Sequence, residues 1–321
     1  MSRAWVVLVL ILAGAVTAGL GLGHGSLGGE WGSTFFALRG TRVVLAGLAG
    51  AALAVAGVVL QALFRNPLAS PSVLGTTAGA ALGGQVMVLL QGAVVPLALP
   101  PELGLPVGCL LGAGLSLLVV LGAARRAEGL GGDPGMTLLL TGILWSSACA
   151  AVASLVTWLA QDRWELGRAL VAFTLGGVEG KGMVHILLGL PLVVAGIIGA
   201  WWWSRALDLL LSGDDEAASL GVPVIAARGW LLVWTAMLAA AAVAIGGGVA
   251  FVGLIVPHAL RPWFGHGHRI LLPAAAVGGA AFLIAADALC RLAPGASLPL
   301  GVLTALVGAP VFALILLRRP A

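Results

Sequence analysis

The sequence predicts an all-α integral membrane protein, and three observations carry that prediction. Of 321 residues, 60% are hydrophobic and 9% charged, against roughly 45–50% apolar and about 25% charged in soluble domains. Mean hydropathy is +1.12. The apolar residues fall into runs of about 20, the length a helix needs to cross the hydrocarbon core of a bilayer, and Arg-bearing or Gly/Pro-rich connections separate the runs. The 49 glycines are scattered through Leu/Val/Ala stretches, as in membrane helices, and not gathered into a linker. Cys109, Cys149 and Cys290 stand alone in apolar segments without C-x-x-C spacing, so they read as small core residues with no disulfide or metal implied. The chain is one membrane domain, residues 1–321.

Ten runs qualify as spans: 4–23, 42–64, 72–92, 104–124, 136–160, 184–203, 229–247, 250–264, 270–290 and 298–317. The first has the look of a signal peptide, with Arg3 and Ala13-Gly14-Ala15, but the rest of the chain is itself membrane-embedded, so it counts as a helix. Between spans two and three, Asn66-Pro67-Leu68-Ala69 reads as a turn, since proline ends a helix and Asn-Pro opens turns. On spans three and four, Gly75, Gly79, Gly83 and Gly104, Gly108, Gly112 recur every fourth residue and make flat faces for close helix approach. The connection 161–183 has room for a short helix. Span eight follows Gly246, Gly247 and Gly248 and contains Pro257, which predicts a short or broken helix. Span nine carries Asp287.

With a cytoplasmic N-terminus, ten spans return the C-terminus to the same side. The inside then holds Arg3, Arg65, Arg125, Arg126, Arg205, Arg228, Arg261, Arg269, Arg318 and Arg319, and the outside Arg39, Arg42, Arg163, Arg168, Lys181 and Arg291. This ten-to-six bias follows the positive-inside tendency. Lys and Arg at span ends account for the net charge of +4 through orientation in the bilayer, with no need for nucleic acid as a partner.

The segment 205–228 is the exception to this oiliness. Its "LLLSGDDEAASLGVPV" stretch places Asp214, Asp215 and Glu216 in the first turn of a helix over 212–223, where the helix dipole favours negative charge. Ser212 is placed to cap it with Asp215 in the capping-box position, and Gly221 and Pro223 stop it. Two turns are too few to persist alone in water. Either this is a solvated loop that happens to be helical, or it docks against something soluble.

Two further stretches bear on that choice, residues 38–80 and 246–265. Three blocks are the most specific: Gln61 to Gly75 (QALFRNPLASPSVLG), Phe251 to Arg261 (FVGLIVPHALR) and Leu298 to Phe312 (LPLGVLTALVGAPVF). Together with the acidic helix they resemble the permease subunits of type II ABC importers, the FecCD/BtuC-like family that carries cobalamin, haem and ferric siderophores. The resemblance covers nearly the whole chain. It implies the type II importer fold of ten membrane helices, and a permease homodimer in a bacterial inner membrane working with two cytoplasmic ATPases and an extracytoplasmic binding protein. ATP and Mg would belong to the partner ATPase.

Residue by residue, the family's coupling-helix segment L-x-x-G-E-E-A-A-x-x-L-G-V is matched by Leu210 to Val222. Ser212, Gly213, Asp214, Asp215, Glu216, Ala217, Leu220 and Gly221 are thereby the expected ATPase contacts, with Asp214 or Asp215 in place of the leading glutamate. Arg39, Arg42 and Arg291 match exposed arginines that meet acidic residues of the binding protein, a pairing that steers encounter; contact with lipid headgroups is the plainer alternative. The family's proline between the first two arginines is replaced by Gly40-Thr41, and its glutamate before Leu-Pro by Ser297. Gln61, Asn66, Pro67, Leu68, Pro257, His258 and Arg261 fall in the family's inner gate and pathway segments, with Phe173, Thr174 and Leu175 at the outer mouth. His258 reads as a hydrogen-bonding residue, with His266 and His268 in a flexible loop.

Other classes fit less well. The chain has no G-x-x-x-x-G-K-[ST], so the subunit does not itself hydrolyse ATP, and neither H-E-x-x-H nor G-x-S-x-G, which argues against a membrane enzyme. An ion-coupled secondary transporter of a small hydrophobic solute is the remaining alternative. It calls for intramembrane carboxylates, and Asp287 is the one on offer.

Overall fold

The computed structural model describes residues 2–21, 32–92, 100–129, 134–293 and 297–317. Thirteen helices are described: α1 (Ser2–Gly21), α2 (Gly32–Leu63), α3 (Thr76–Gly92), α4 (Pro101–Gly129), α5 (Pro134–Leu159), α6 (Trp164–Leu175), α7 (Met183–Trp202), α8 (Ser204–Leu210), α9 (Asp214–Ser219), α10 (Val224–Gly246), α11 (Val252–Phe264), α12 (His268–Cys290) and α13 (Leu300–Leu317). No strand occurs among the described residues. Seven helices (α1, α2, α4, α5, α7, α10 and α12) are long and apolar enough to cross a membrane. The other three predicted spans are occupied by α3 (17 residues), α11 (13 residues) and α13. Arg318 and Arg319 lie outside the described residues.

The core forms around α2. Ala52, Ala54, Val55, Ala56, Val58 and Val59 are all fully buried, so α2 is apolar on every side, as a helix enclosed by others must be. Its most apolar stretch is 89% buried, against 17% for α1 and α5, whose large side chains face outward. Glycine sets how closely the neighbours approach. A methyl group on Gly50 would lie 2.1 Å from the carbonyl oxygen of Gly279 on α12, and one on Gly57 would lie 2.0 Å from that of Gly253 on α11. The predicted α3–α4 face is formed in the same way, with Gly83 against Gly108 and Gly112 against Gly79. Gly75 is not on that face. It sits in the turn before α3 with φ +80.

Two predicted boundaries move, and one break that the sequence allowed is absent. Helix α2 begins at Gly32, not 42, which puts Arg39 inside a helix and not before it, and Arg42 well within the helix and not at its first residue. Helix α11 is short, as expected, but continuous through Pro257. The acidic helix is six residues, Asp214–Ser219, shorter than 212–223.

The helices run so that one end gathers the α2 C-terminus, α8, α9 and the α11–α12 turn, while Trp5 of α1 packs edge-on against Phe264 with ring centroids 5.0 Å apart. Exposed Trp202, Trp230 and Trp263 ring this α9 end. Trp158 and Trp164 are exposed at the opposite end, near α6. Two tryptophan belts around an apolar body are the signature of paired membrane–water interfaces.

Candidate functional site

The acidic helix is built by its termini. Gly213 precedes it at φ +141, a left-handed conformation that suits glycine, and no side chain caps the N-terminus. The expected Ser212–Asp215 capping box is therefore absent: the helix begins one residue later, so the N-cap position falls on Gly213, which has no side chain. The C-terminus closes as anticipated. Gly221 has φ +84, its N–H bonds to Ala218 O at 3.0 Å and the N–H of Val222 to Ala217 O at 3.0 Å. Those two bonds and the left-handed glycine are a Schellman motif. Ala217 is fully buried beneath the helix.

The three carboxylates have different surroundings. Asp214 accepts from Arg228 at 2.7 Å and from Arg65 at 3.1 Å, so it is held by its own chain. Asp215 and Glu216 are exposed, as are Ser212 and Leu220. The outward face of α9 is thus two carboxylates beside an apolar side chain.

Arg65 is the joint between this element and the core. It follows α2 in left-handed backbone at φ 47, a conformation costing a non-glycine residue roughly 1–2 kcal/mol. The strained position aims its guanidinium at Leu210 O, 3.1 Å from Nε at the end of α8, as well as at Asp214. Immediately after it, the Asn66 side chain accepts from the Leu68 N–H at 2.9 Å, which makes Asn66-Pro67-Leu68 an Asx turn. Leu68 is exposed.

Gln61, Pro257 and Arg261 meet where α2 crosses α11. Proline has no N–H to give the carbonyl four residues back, and that carbonyl, on Gly253, takes the Gln61 amide at 3.1 Å instead. Gln61 Oε1 in turn accepts from Arg261. His268 is not in a flexible loop. It is the buried first residue of α12, and both its N–H (3.0 Å) and its Nδ1 (2.6 Å) contact Asp208 of α8. Burial alone would raise the Asp208 carboxyl, but its bonds with His268 bring it below the usual range. Among the described residues no group of three His, Cys, Asp or Glu could hold a metal ion.

At the far end, the three arginines expected to be exposed are turned inward. Arg39 is 8% exposed and donates to Leu20 O at 2.8 Å. Arg42 bonds both oxygens of buried Asp287, at 2.8 and 3.0 Å. The Arg291 Nε lies 3.4 Å from the same carboxylate. A buried carboxylate gathers Arg42 and Arg291, because isolated charges in an apolar bundle are costly, whereas Arg39 is held by a backbone carbonyl. Burial pulls the Arg291 guanidinium below its ordinary value. Ser297, where a glutamate was expected, hydrogen-bonds Glu179, so a carboxylate reaches that place from another loop.

Phe173, Thr174 and Leu175 end α6 in a backbone knot. Gly248 N–H bonds Phe173 O at 3.2 Å, Gly177 N–H bonds Gly246 O at 2.8 Å and Leu300 N–H bonds Gly176 O at 3.0 Å, tying α6, α10 and α13 together. The Thr174 hydroxyl accepts from Gln85 at 2.8 Å. Lys181 donates to Ala244 O and Ile245 O at the end of α10, a favourable place for a cation, although desolvation lowers its ammonium to about 8.

A model described as the FecCD transport family matches residues 4–318. The chain belongs to the FecCD transport family. Among FecCD-type relatives, a cobalamin import system permease protein of Halobacterium salinarum is 37% identical over 282 residues, 88% of this chain and 73% of that one. The hemin transport system permease protein of Yersinia pestis is 36% identical over 291 residues, 88% and 82% of the two chains. A solved metal-chelate-type ABC transporter in an inward-facing conformation superposes with a TM-score of 0.85 and 30% identity, covering 99% of both chains. This FecCD member is accordingly a multi-pass membrane protein of the permease type.

Several of its contacts were not anticipated from sequence: Arg228 and Arg65 on Asp214, Asp208 with His268, Asp287 with Arg42, and Lys181 on α10. Only the last had a local signal, as the sole lysine of the chain.

Proposed function

We propose that this chain is the permease subunit of an ATP-driven importer of a metal chelate, acting as a homodimer with two ATPases on the cytoplasmic side and a binding protein outside. The observation that carries the reading is the form of α9. A two-turn helix is fastened to the bundle through Asp214 and presents Asp215, Glu216 and Leu220 to whatever meets it. Such a helix is of no use to the bundle itself, and serves a soluble partner that must push on it.

Force applied at α9 reaches the transport path through two ties. Arg65 delivers it to the end of α2 and the Asn66–Leu68 turn at the inner gate, and Gln61 passes it to α11 through Gly253 and Arg261. On the outside, Arg39, Arg42 and Arg291 meet carboxylates of the binding protein, which compete with Asp287 for Arg42 and Arg291 and with the Leu20 carbonyl for Arg39. ATP and Mg stay with the ATPases. The cargo is a metal–organic chelate such as a ferric siderophore, haem or cobalamin, in line with what the relatives' names say they carry. The ion-coupled alternative needs a free carboxylate in the membrane, whereas Asp287 is engaged by Arg42.

The test is reconstitution of the permease with its ATPases and binding protein, followed by ATP-driven uptake of each chelate. Replacing Asp214, Asp215 and Glu216 with lysine should leave a folded permease whose uptake falls at least tenfold. Uptake at the wild-type rate overturns the reading.

A further inference from the structure

At the α9 end, α7 gives way to α8 through Trp203, and α12 packs against both. The corner is pinned where Asp208 of α8 takes the N–H and the Nδ1 of His268, the first residue of α12, at 3.0 and 2.6 Å. Arg205 precedes Asp208 by three residues, which puts the two on one face of α8. Arg269 follows His268 on α12. Both arginines are exposed, so two guanidinium groups stand on either side of one fixed junction.

Their setting is aromatic. The Arg269 guanidinium carbon lies 5.7 Å from the centroid of the Trp201 ring, a cation–π distance, and Trp201 Nε1 donates to Arg269 O at 3.1 Å. Trp202 beside it is 79% exposed and belongs to the tryptophan belt at this end. The stack therefore holds the Arg269 charge at the depth of lipid phosphates.

Neither arginine has an acidic partner in the chain. Among the described residues the ion pairs are made by Arg42, Arg65, Arg228, Arg291 and His268. Asp208 is the acid closest in sequence to both, and it is taken by His268. Burial and His268 set its proton affinity, with no part from Arg205 or Arg269.

We infer that the α7–α8–α12 corner is a binding site for the phosphate of an acidic phospholipid headgroup, with Arg205 and Arg269 as donors and the exposed faces of Trp201 and Trp202 against the glycerol and upper chains. Guanidinium groups suit phosphate because their planar forks donate two parallel hydrogen bonds, and basic sites on the cytoplasmic side of membrane helices recognise acidic lipids. The indole platforms favour a lipid over a soluble phosphate, since the lipid brings apolar chains to meet them. A lipid held there bridges α8 and α12, and adds a second tie to the one made by Asp208 and His268.

The test uses the full-length permease in nanodiscs of equal parts phosphatidylglycerol and phosphatidylcholine, with retained lipids counted by native mass spectrometry. Arg205→Gln/Arg269→Gln removes both donors. Arg125→Gln/Arg126→Gln, at the C-terminal end of α4, removes the same charge from the same end of the bundle. All four side chains are exposed, so both variants should unfold at the wild-type midpoint.

We expect wild type to retain phosphatidylglycerol at least threefold over phosphatidylcholine, the Arg205/Arg269 variant to lose that preference, and the Arg125/Arg126 variant to keep most of it. Millimolar inorganic phosphate should leave the retained lipid in place. No preference in wild type, equal loss in the two variants, or displacement of the lipid by inorganic phosphate overturns the inference.

Discussion

Asp214 sits 2.7 Å from Arg228 and is shared with Arg65 at 3.1 Å. The partly exposed side chains, 42% for Asp214 and 44% for Arg65, limit each pair to about 0.2–1 kcal/mol. The clamp is thus a local device. Asp214→Asn should leave the thermal midpoint of the permease almost unchanged while amide exchange over 214–222 quickens severalfold. Asp215→Asn should weaken ATPase association in a salt-dependent way without quickening exchange. A large drop in midpoint for Asp214→Asn, or exchange equal to wild type, would show that the helix is held by something else.

Arg65 allows strain and contact to be told apart. Arg65→Gly removes a left-handed cost of about 1–2 kcal/mol and loses ion pairing of about 0.2–1 kcal/mol, while adding freedom to the unfolded chain. These effects nearly cancel, so stability should stay within about 1 kcal/mol of wild type. Uptake by the reconstituted complex should nonetheless fall severalfold, because the Arg65 side chain ties the end of α2 directly to Asp214. Retained uptake would mean the strained backbone has no part in coupling.

Asp287 and Arg42 form a different kind of pair. The carboxylate is 2% exposed and the guanidinium 18%, so removing one partner strands a charge in the bundle at a cost of about 3–5 kcal/mol. Asp287→Leu and Arg42→Met should each lower the unfolding midpoint strongly, and the double variant Arg42→Met/Asp287→Leu should cost much less than their sum. Additive effects in this cycle would show that the two side chains do not interact.

The close crossing of α2 and α11 makes a packing prediction with an internal control. Gly57→Ala brings a methyl group against the Gly253 carbonyl at 2.0 Å, which forces the backbones apart and should cost about 1–3 kcal/mol. Gly114→Ala on α4 meets open space and should be neutral or slightly stabilising. Equal effects of the two substitutions would place the crossing elsewhere.

The helices were legible because their signal is local. Runs of apolar residues set the positions of α1 to α5, α7 and α10 to α13, and the stop at Gly221 followed from one glycine and one proline. The Ser212 cap was misread because the helix starts one residue later than expected, which puts Gly213 and not Ser212 at the N-cap position. The inward turn of Arg39, Arg42 and Arg291 could not be read locally either. For Arg42 and Arg291 the cause is Asp287, 245 residues from Arg42 in sequence, which only the packing of α12 on α2 brings near, and for Arg39 it is the Leu20 carbonyl at the end of α1. Arg65 carried no mark of its left-handed backbone, since glycine is the residue that usually fills that place.

Lys181 offers a pH test with little background, because it is the sole lysine and the chain has no tyrosine. Desolvation brings its ammonium from 10.5 down to about 8. Between those values the unfolded chain binds a proton that the folded chain does not, so linkage makes the protein gain stability as pH rises from about 8 toward 10, while below 8 the penalty is constant. Thiols and the amino terminus also titrate in this window, and Lys181→Met subtracts their effect because it keeps them all. The stability difference, wild type minus Lys181→Met, should therefore grow by on the order of 1 kcal/mol between pH 8 and 10, read from denaturant unfolding in detergent. A difference that stays flat would mean that Lys181 keeps its proton throughout, with Ala244 and Ile245 carbonyls compensating fully for its burial.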